Sequence, residues 1–204
     1  MTAKGHAEWE LKAVVPDWDA LIERLRSRGA VLEFEGRLED RRYDTASFDL
    51  LARDHVLRLR AYRDPQGRVV RASLDFKGAT ERRGGYKVRD ERSTSIGDAG
   101  TLAAILDQLG YQVSLAIDRV IVQFTLYGAV VRLERYPRMD DLIEVEGTPE
   151  AIEAAIAATG ISREAFTSAS LATFMGLFEA RTGTAAAVSD AELMNGILQD
   201  RGRA

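Results

Sequence analysis

Along most of the first 146 residues, apolar and charged positions alternate with a period of two, the signature of strands with one buried and one polar face. In "HAEWELKAVV" (residues 6–15), Glu8, Glu10 and Lys12 alternate with Trp9, Leu11 and Ala13. In "VLEFEGRLEDRRYD", Leu32 and Phe34 alternate with Glu33 and Glu35. "HVLRLRAYRDPQGRVVRASLDFKG" reads as two strands joined by a turn at Asp64-Pro65-Gln66-Gly67. On the first of these, Arg58, Arg60 and Tyr62 share one face and Leu57, Leu59 and Ala61 the other. On the return, Arg71, Ser73, Asp75 and Lys77 oppose Val70, Ala72, Leu74 and Phe76, and "YKVRDERS" then aligns Lys87, Arg89 and Glu91. The second half repeats the scheme. "YQVSLAIDRVIVQFTL" turns at Tyr127-Gly128 into "AVVRLERY", which puts Arg132 and Glu134 on one face. "DLIEVEG" then sets Glu144 and Glu146 against Ile143 and Val145.

Helical spacing interrupts these strands. "VPDWDALIERLRSRGA" carries Trp18, Leu21, Ile22 and Leu25 on one stripe, with Pro16 at a tolerated first turn and Gly29 at a C-terminal cap. "DAGTLAAILDQLG" does the same with Leu102, Ile105, Leu106 and Leu109. Further helices are expected from Thr148-Pro149 and from Ser162, and "TGTAAAV" reads as a linker. It leads into "SDAELMNGILQD", where Ser189 and Glu192 fit a capping box. The expected division is one domain over residues 1–182, followed by a linker and short C-terminal helix over 183–204. The expected fold is α+β: an antiparallel β barrel, closed or nearly so, with the charged strand faces turned inward as a polar tunnel and the helices packed outside.

Bulk composition narrows the setting. With 204 residues, 46% hydrophobic and 29% charged, the chain reads as an ordinary globular protein. No apolar run of about 18 residues predicts a membrane helix, and the start lacks the apolar stretch of a secretory signal. A cytoplasmic protein is expected, since the absence of cysteine excludes disulfides and thiolate metal sites. The net charge of -4 argues against broad phosphate neutralisation on a nucleic acid, so any basic site is local.

The ordered motifs resemble a known group. "EWELK" resembles the Glu-x-Glu-x-Lys signature of the CYTH superfamily, the triphosphate tunnel metalloenzymes, which includes class IV adenylate cyclases, thiamine triphosphatases and inorganic triphosphatases. "RRYDT" is similar to that group's Tyr-Asp-Thr segment, "DHVLRLR" to its Leu-Arg-x-Arg strand, and "LDFKG" to the strand bearing a phosphate-binding lysine. "VRDE" resembles the Arg-x-Glu strand, "IDRV" the Lys/Arg-Arg strand and "LIEVEG" the second paired-glutamate strand, in family order over roughly residues 6 to 178. The departures are Glu134 in place of an aspartate, Asp140 in place of a glycine, Leu171 in place of a tyrosine, and Ser93 where many inorganic triphosphatases carry a further glutamate. The Ser93 departure leans toward the cyclase or thiamine triphosphatase branches.

The resemblance implies a linear triphosphate bound with divalent metal. Glu8, Glu10, Glu144 and Glu146, with Glu134 and additionally Glu91, would be the metal ligands. Hard carboxylate oxygens suit Mg²⁺ or Mn²⁺ rather than zinc. Lys12, Arg58, Arg60, Lys77, Arg89 and Arg119 would contact phosphate oxygens. Tyr43 and Lys77 are the candidates to orient or deprotonate an attacking water. Taken alone, each group has a plainer reading. Paired glutamates on a strand are more often solvated, and Arg58 and Arg60 can form cross-strand ion pairs with Glu33 or Glu35. His6 and His55 read as structural or solvated, and Trp9 and Trp18 as packing. Three functions share the phosphate site: a metal-dependent triphosphatase, a class IV adenylate cyclase converting ATP to cyclic AMP, and a non-catalytic polyphosphate- or nucleotide-binding module. The expected partner is a small-molecule triphosphate, with no nucleic acid and no membrane, and with the oligomeric state left open.

Overall fold

The computed structural model describes the backbone of residues 6–201 and the side chains of residues 9–195. In chain order the elements are β1 (His6–Val14), α1 (Trp18–Ser27), β2 (Val31–Asp44), α2 (Asp49–Ala52), β3 (Val56–Arg63), β4 (Val69–Lys77), β5 (Glu81–Arg83) and β6 (Tyr86–Ser95). They continue with α3 (Ala99–Gln108), β7 (Gln112–Leu126), β8 (Ala129–Arg135), β9 (Leu142–Glu146), α4 (Pro149–Thr159), α5 (Leu171–Thr182) and α6 (Asp190–Arg201). The hydrogen-bonded strand order is β1-β9-β8-β7-β2-β3-β4-β6-β5, with β1 also paired to β6. Every strand except β5 therefore has at least two strand neighbours. The antiparallel α+β architecture expected from the alternation is present.

The chain divides into two compact units. The first holds Gly36–Ile117 and the start of the chain through Trp9. The second holds Glu10–Glu35 and Asp118–Ala204. Strands β1, β2 and β7 each contribute residues to both.

In the first unit, the β3–β4 hairpin turns where the sequence predicts. Asp64 Oδ1 accepts from the backbone of Gln66 at 3.0 Å and of Arg68 at 2.9 Å, and Gly67 supplies the positive φ. Asp98 caps α3 through Thr101 N at 3.0 Å, and Leu106 from α3 packs with Tyr43 and Leu59 from the sheet. Two small elements escape the pattern: α2, four residues long, and β5, three residues long. Neither is long enough to show a period.

In the second unit, Tyr127 (φ 51°) and Gly128 (φ 82°) both adopt positive φ, the tight hairpin turn that joins β7 to β8. Thr148 caps α4, with Pro149 in its first turn. Gly160 ends α4 at φ 73°, a left-handed conformation that favours glycine, and a Cβ there would push the Arg24 guanidinium aside. The helix expected from Ser162 starts later: residues Arg163–Ala165 form a single 3₁₀ turn, and Ser170 caps α5. The apolar core of this unit lies on the face carrying Leu11, Ala13, Val131, Leu133, Ile143 and Val145, all essentially inaccessible. Residues 183–189 belong to this unit too. Ala187 and Val188 are fully buried, and Ala187 bridges to Arg138. The capping box is present: Ser189 Oγ accepts from Glu192 N, and Glu192 accepts from Ser189 N.

Candidate functional site

Antiparallel register decides which charged side chains meet. In the second unit, Lys12 of β1 stands opposite Glu144 of β9, which stands opposite Arg132 of β8, which stands opposite Gln123 of β7. The neighbouring row on the same face runs Glu10, Glu146, Val130 and Thr125. Lys12 Nζ lies 3.0 Å from Glu10 and makes a close ion pair with Glu144. Arg132 reaches Glu144 at 2.6 Å and Glu146 at 3.5 Å, and its Nε donates to Gln123 at 3.1 Å. Next to this pair of rows, Arg119 Nε donates to Glu134 at 2.9 Å, and Tyr136 donates its hydroxyl to the other Glu134 oxygen at 2.5 Å. Glu10, Lys12, Arg119, Arg132, Glu134 and Glu144 are all buried.

The first unit holds a second charged cluster, built the same way. Arg58 stands opposite Arg42 on β2 and Asp75 on β4, and Asp75 stands opposite Ser93 on β6. Arg60 stands opposite Asp40 on one side and Ser73 on the other. Arg58 donates from Nε and Nη2 to Asp75 Oδ2 at 3.2 and 3.1 Å, and lies 3.5 Å from Glu91 and 3.8 Å from Asp40. Arg60 Nε lies 3.2 Å from Asp75 and 3.3 Å from Asp40. Lys77 pairs with Glu91 at 3.0 Å. The alternative partners for Arg58 and Arg60, Glu33 and Glu35, do not pair with them. Register places Asp40 and Asp75 beside these arginines instead.

Of the residues singled out by the sequence, Glu10, Lys12, Glu144 and Glu146 come together in one cluster, and Arg58, Arg60, Lys77 and Glu91 in the other. Glu134 and Arg119 pair with each other. Arg89 is buried in the first unit and reaches the Gly78 carbonyl at 2.6 Å, Asp54 Oδ1 at 3.0 Å and the Asp54 carbonyl. Tyr43 is not brought to Lys77. It stands opposite Leu57, one position off the row of Arg58, and is buried against Leu59 and Leu106 with Leu57, Leu74, Ala99 and Leu102 around it. Burial raises its pKa, with Asp107 adding to the shift and Arg41 opposing it. Glu8 lies outside the described side chains, as does His6. Sequence reasoning passed over Asp40, Asp75, Arg132 and Tyr136. The alternation already put Asp75 in phase with Lys77, and Arg132 in phase with Glu134.

Carboxylate oxygens of Glu10, Glu144 and Glu146 lie within 4.8 Å of one another, a spacing one ion can span. Three carboxylates and no nitrogen or sulfur donor fit Mg²⁺ or Mn²⁺. Glu134 is outside this group, since Arg119 and Tyr136 take its oxygens, and Glu91 belongs to the other cluster.

Burial alone pushes the Glu144 carboxyl up, but Lys12 and Arg132 more than offset it and hold it well below the usual carboxylate range. Burial likewise pulls the Lys12 ammonium down, and Glu10, Glu144 and Glu134 together raise it above its ordinary value. The Tyr136 hydroxyl is pushed well up, first by burial and then by Glu134. The signs give a stability window. The depressed Glu144 contributes fully above the ordinary carboxylate pKa and loses that contribution as pH falls through its folded value. The raised Lys12 contributes fully below the ordinary lysine pKa and loses it as pH rises through its folded value. Urea unfolding midpoints should therefore hold level from about pH 6 to 9 and fall below about pH 5. Glu144→Gln should flatten the acid limb. An acid limb equally steep in that variant would show that Glu144 does not drive it.

No protein-family model matches the chain, and no curated protein matches it in sequence. Solved structures do match. A proposed adenylate cyclase from Vibrio parahaemolyticus superposes with a TM-score of 0.71 at 19% identity, covering 84% of this chain and 99% of that one. The PH1819 protein of Pyrococcus horikoshii gives 0.66 at 24% identity, over 83% and 98%. A proposed adenylyl cyclase from Hippeastrum, whose dominant activity is that of a triphosphatase, gives 0.58 at 17% identity, over 86% and 95%. The chain shares the fold of these solved structures.

Proposed function

We propose that the protein is a divalent-metal-dependent phosphohydrolase acting on a triphosphate: tripolyphosphate, thiamine triphosphate or a nucleoside triphosphate. The observation that carries the reading is the Glu10, Glu144 and Glu146 carboxylate group, set on adjacent antiparallel strands with its oxygens within 4.8 Å. Carboxylates crowded at this distance repel one another, which favours a cation among them. These three would hold Mg²⁺ or Mn²⁺, with Glu8 of the same strand motif as a further candidate. Bound metal supplies charge neutralisation at the phosphates and polarises the anhydride.

The chain's own residues supply the rest. Arg58, Arg60 and Lys77 are buried cations on adjacent strands, and guanidinium forks match phosphate oxygens two at a time. Lys12 and Arg119 are buried beside the carboxylates and would face phosphate when a triphosphate brings compensating charge. Arg89 holds the segment around Asp54 and Gly78, which gives it a supporting role beside any contact with phosphate. Lys77, anchored by Glu91 at 3.0 Å, is the candidate for orienting an attacking water.

Hydrolysis requires only a bound triphosphate and a positioned water. Cyclisation requires, in addition, that the ribose hydroxyl be held in line with the α-phosphate. The Hippeastrum neighbour, a proposed cyclase with a dominant triphosphatase activity, supports this order. Purified protein incubated with tripolyphosphate, thiamine triphosphate and ATP, each with Mg²⁺ and with Mn²⁺, should release phosphate. Cyclic AMP as the main product, with little phosphate from any substrate, would establish the class IV cyclase instead. Tight triphosphate binding without turnover would establish the non-catalytic module.

A further inference from the structure

Arg58 and Arg60 lie two residues apart on one strand face, so their like charges are brought side by side in a buried place. Left alone, two buried guanidinium groups at that spacing would swing apart or draw in water. One carboxylate oxygen holds both. Asp75 Oδ2 accepts from Arg58 Nε at 3.2 Å and Nη2 at 3.1 Å, and lies 3.2 Å from Arg60 Nε. Asp75 itself is 2% exposed. Its other oxygen, Oδ1, accepts from Ser93 Oγ at 2.6 Å, across the directly paired position on β6. Asp40 assists from the opposite strand, 3.3 Å from Arg60 Nε and 3.8 Å from Arg58 Nη1.

We propose that the hydrogen-bonded Asp75–Ser93 pair is a positioning device for the triphosphate reaction. Ser93 fixes the rotation of the Asp75 carboxylate, and Asp75 in turn fixes the plane of the Arg58 guanidinium by two hydrogen bonds and holds Arg60 beside it by charge. Neither residue need touch substrate. A carboxylate free to rotate about its own axis would offer Oδ1 and Oδ2 to the arginines in turn. The Ser93 hydroxyl breaks that equivalence by binding one oxygen. Ser93 stands at the position where the resembled inorganic triphosphatases carry a glutamate. Here the serine acts through an acid one strand away. The inference rests on the triphosphate reading for its substrate, and its own content is the Ser93-to-Asp75-to-arginine chain.

Three variants test it: Ser93→Ala, Ser93→Thr and Asp75→Asn, each assayed for tripolyphosphate hydrolysis and for melting temperature. Ser93→Ala removes one hydrogen bond and no charge, and should raise KM about threefold to tenfold with kcat changed less than about twofold. Ser93→Thr keeps the hydroxyl and should restore the wild-type KM. Asp75→Asn should raise KM further, and adding Ser93→Ala to it should cost little more, because the serine acts only through the carboxylate. A merely structural role would lower the melting temperature of Ser93→Ala and leave KM unmoved, and that result overturns the proposal. So does a fully additive double variant. Wild-type protein that neither binds nor hydrolyses tripolyphosphate would instead remove the triphosphate reading, and the positioning role with it. Wild-type activity with an unchanged Ser93→Ala variant removes the positioning role alone.

Discussion

Glu146→Ala should abolish triphosphate hydrolysis and leave the melting temperature near that of the wild type, whereas Glu144→Ala should lose both. The two glutamates sit two residues apart on β9, yet their surroundings differ. Glu144 is the hinge of a buried network, paired closely with Lys12 and at 2.6 Å with Arg132. Removing it takes the shortest contact from two buried cations, leaving Lys12 with Glu10 and Arg132 with Glu146 and Gln123, and breaking a buried pair costs up to about 3–5 kcal/mol. Glu146 is only partly buried, and its distance to Arg132 is a long one, 3.5 Å. Removing it also relieves repulsion within the Glu10–Glu144–Glu146 group. On the proposed function it still supplies one of three ligand carboxylates, so kcat with Mg²⁺ should fall by about 10²-fold or more, the scale of a lost positioned electrostatic group. Steady-state kinetics and thermal unfolding on the two variants separate the cases. Near-wild-type turnover of Glu146→Ala at limiting metal would remove Glu146 from the metal set. A Glu144→Ala variant that melts with the wild type would show that Lys12 and Arg132 find other partners.

How much of this was legible in the sequence follows from what alternation encodes. Period two tells which residues of one strand share a face, and that was enough to group Glu10 with Lys12, Arg58 with Arg60, and Glu144 with Glu146. It does not tell which strand lies opposite, nor in which register. Asp40 and Asp75 were therefore invisible as partners of Arg58 and Arg60, although each lies in a segment correctly read as a strand. Tyr43 shows the opposite failure. A motif placed it among the catalytic candidates, but one step along β2 separates the row of Arg42 from the row of Tyr43, and that step turns the phenol onto the face packed against α3. The segment from Ala46 to His55 carried no periodic signal at all. Its backbone is tied by Asp44, which accepts from the N–H groups of Thr45, Leu50 and Leu51 at 2.8 to 2.9 Å. Such a cap is local chemistry that a hydrophobic pattern cannot record.

Tripolyphosphate should raise the melting temperature substantially in the presence of Mg²⁺ or Mn²⁺ and hardly at all in a chelator, and inorganic phosphate should do little in either case. The reason lies in the charge already present. In the first unit, Arg58, Arg60 and Lys77 face Asp40, Asp75 and Glu91, three basic groups against three acidic ones. These six side chains carry no net formal charge, so a bare tripolyphosphate entering among them would compete with the resident carboxylates for every guanidinium. In the second unit, Lys12, Arg119 and Arg132 face Glu10, Glu134, Glu144 and Glu146, a set with one acid in excess. Neither cluster is a ready-made anion hole. Divalent cations change the balance by neutralising the carboxylates and bridging phosphate oxygens, which frees the basic groups to bind the anion. A ligand at about a hundred times its Kd stabilises the folded state by about 2.7 kcal/mol, which for a chain of this size is about 5–10 °C. A single phosphate cannot span several basic groups at once, so its stabilisation should stay within about a degree at the same concentration. Equal stabilisation by phosphate and tripolyphosphate would point to unspecific anion attraction. Full stabilisation by tripolyphosphate in the chelator would show that the arginines and lysines bind the anion without metal, and the carboxylate group around Glu144 would then need another purpose.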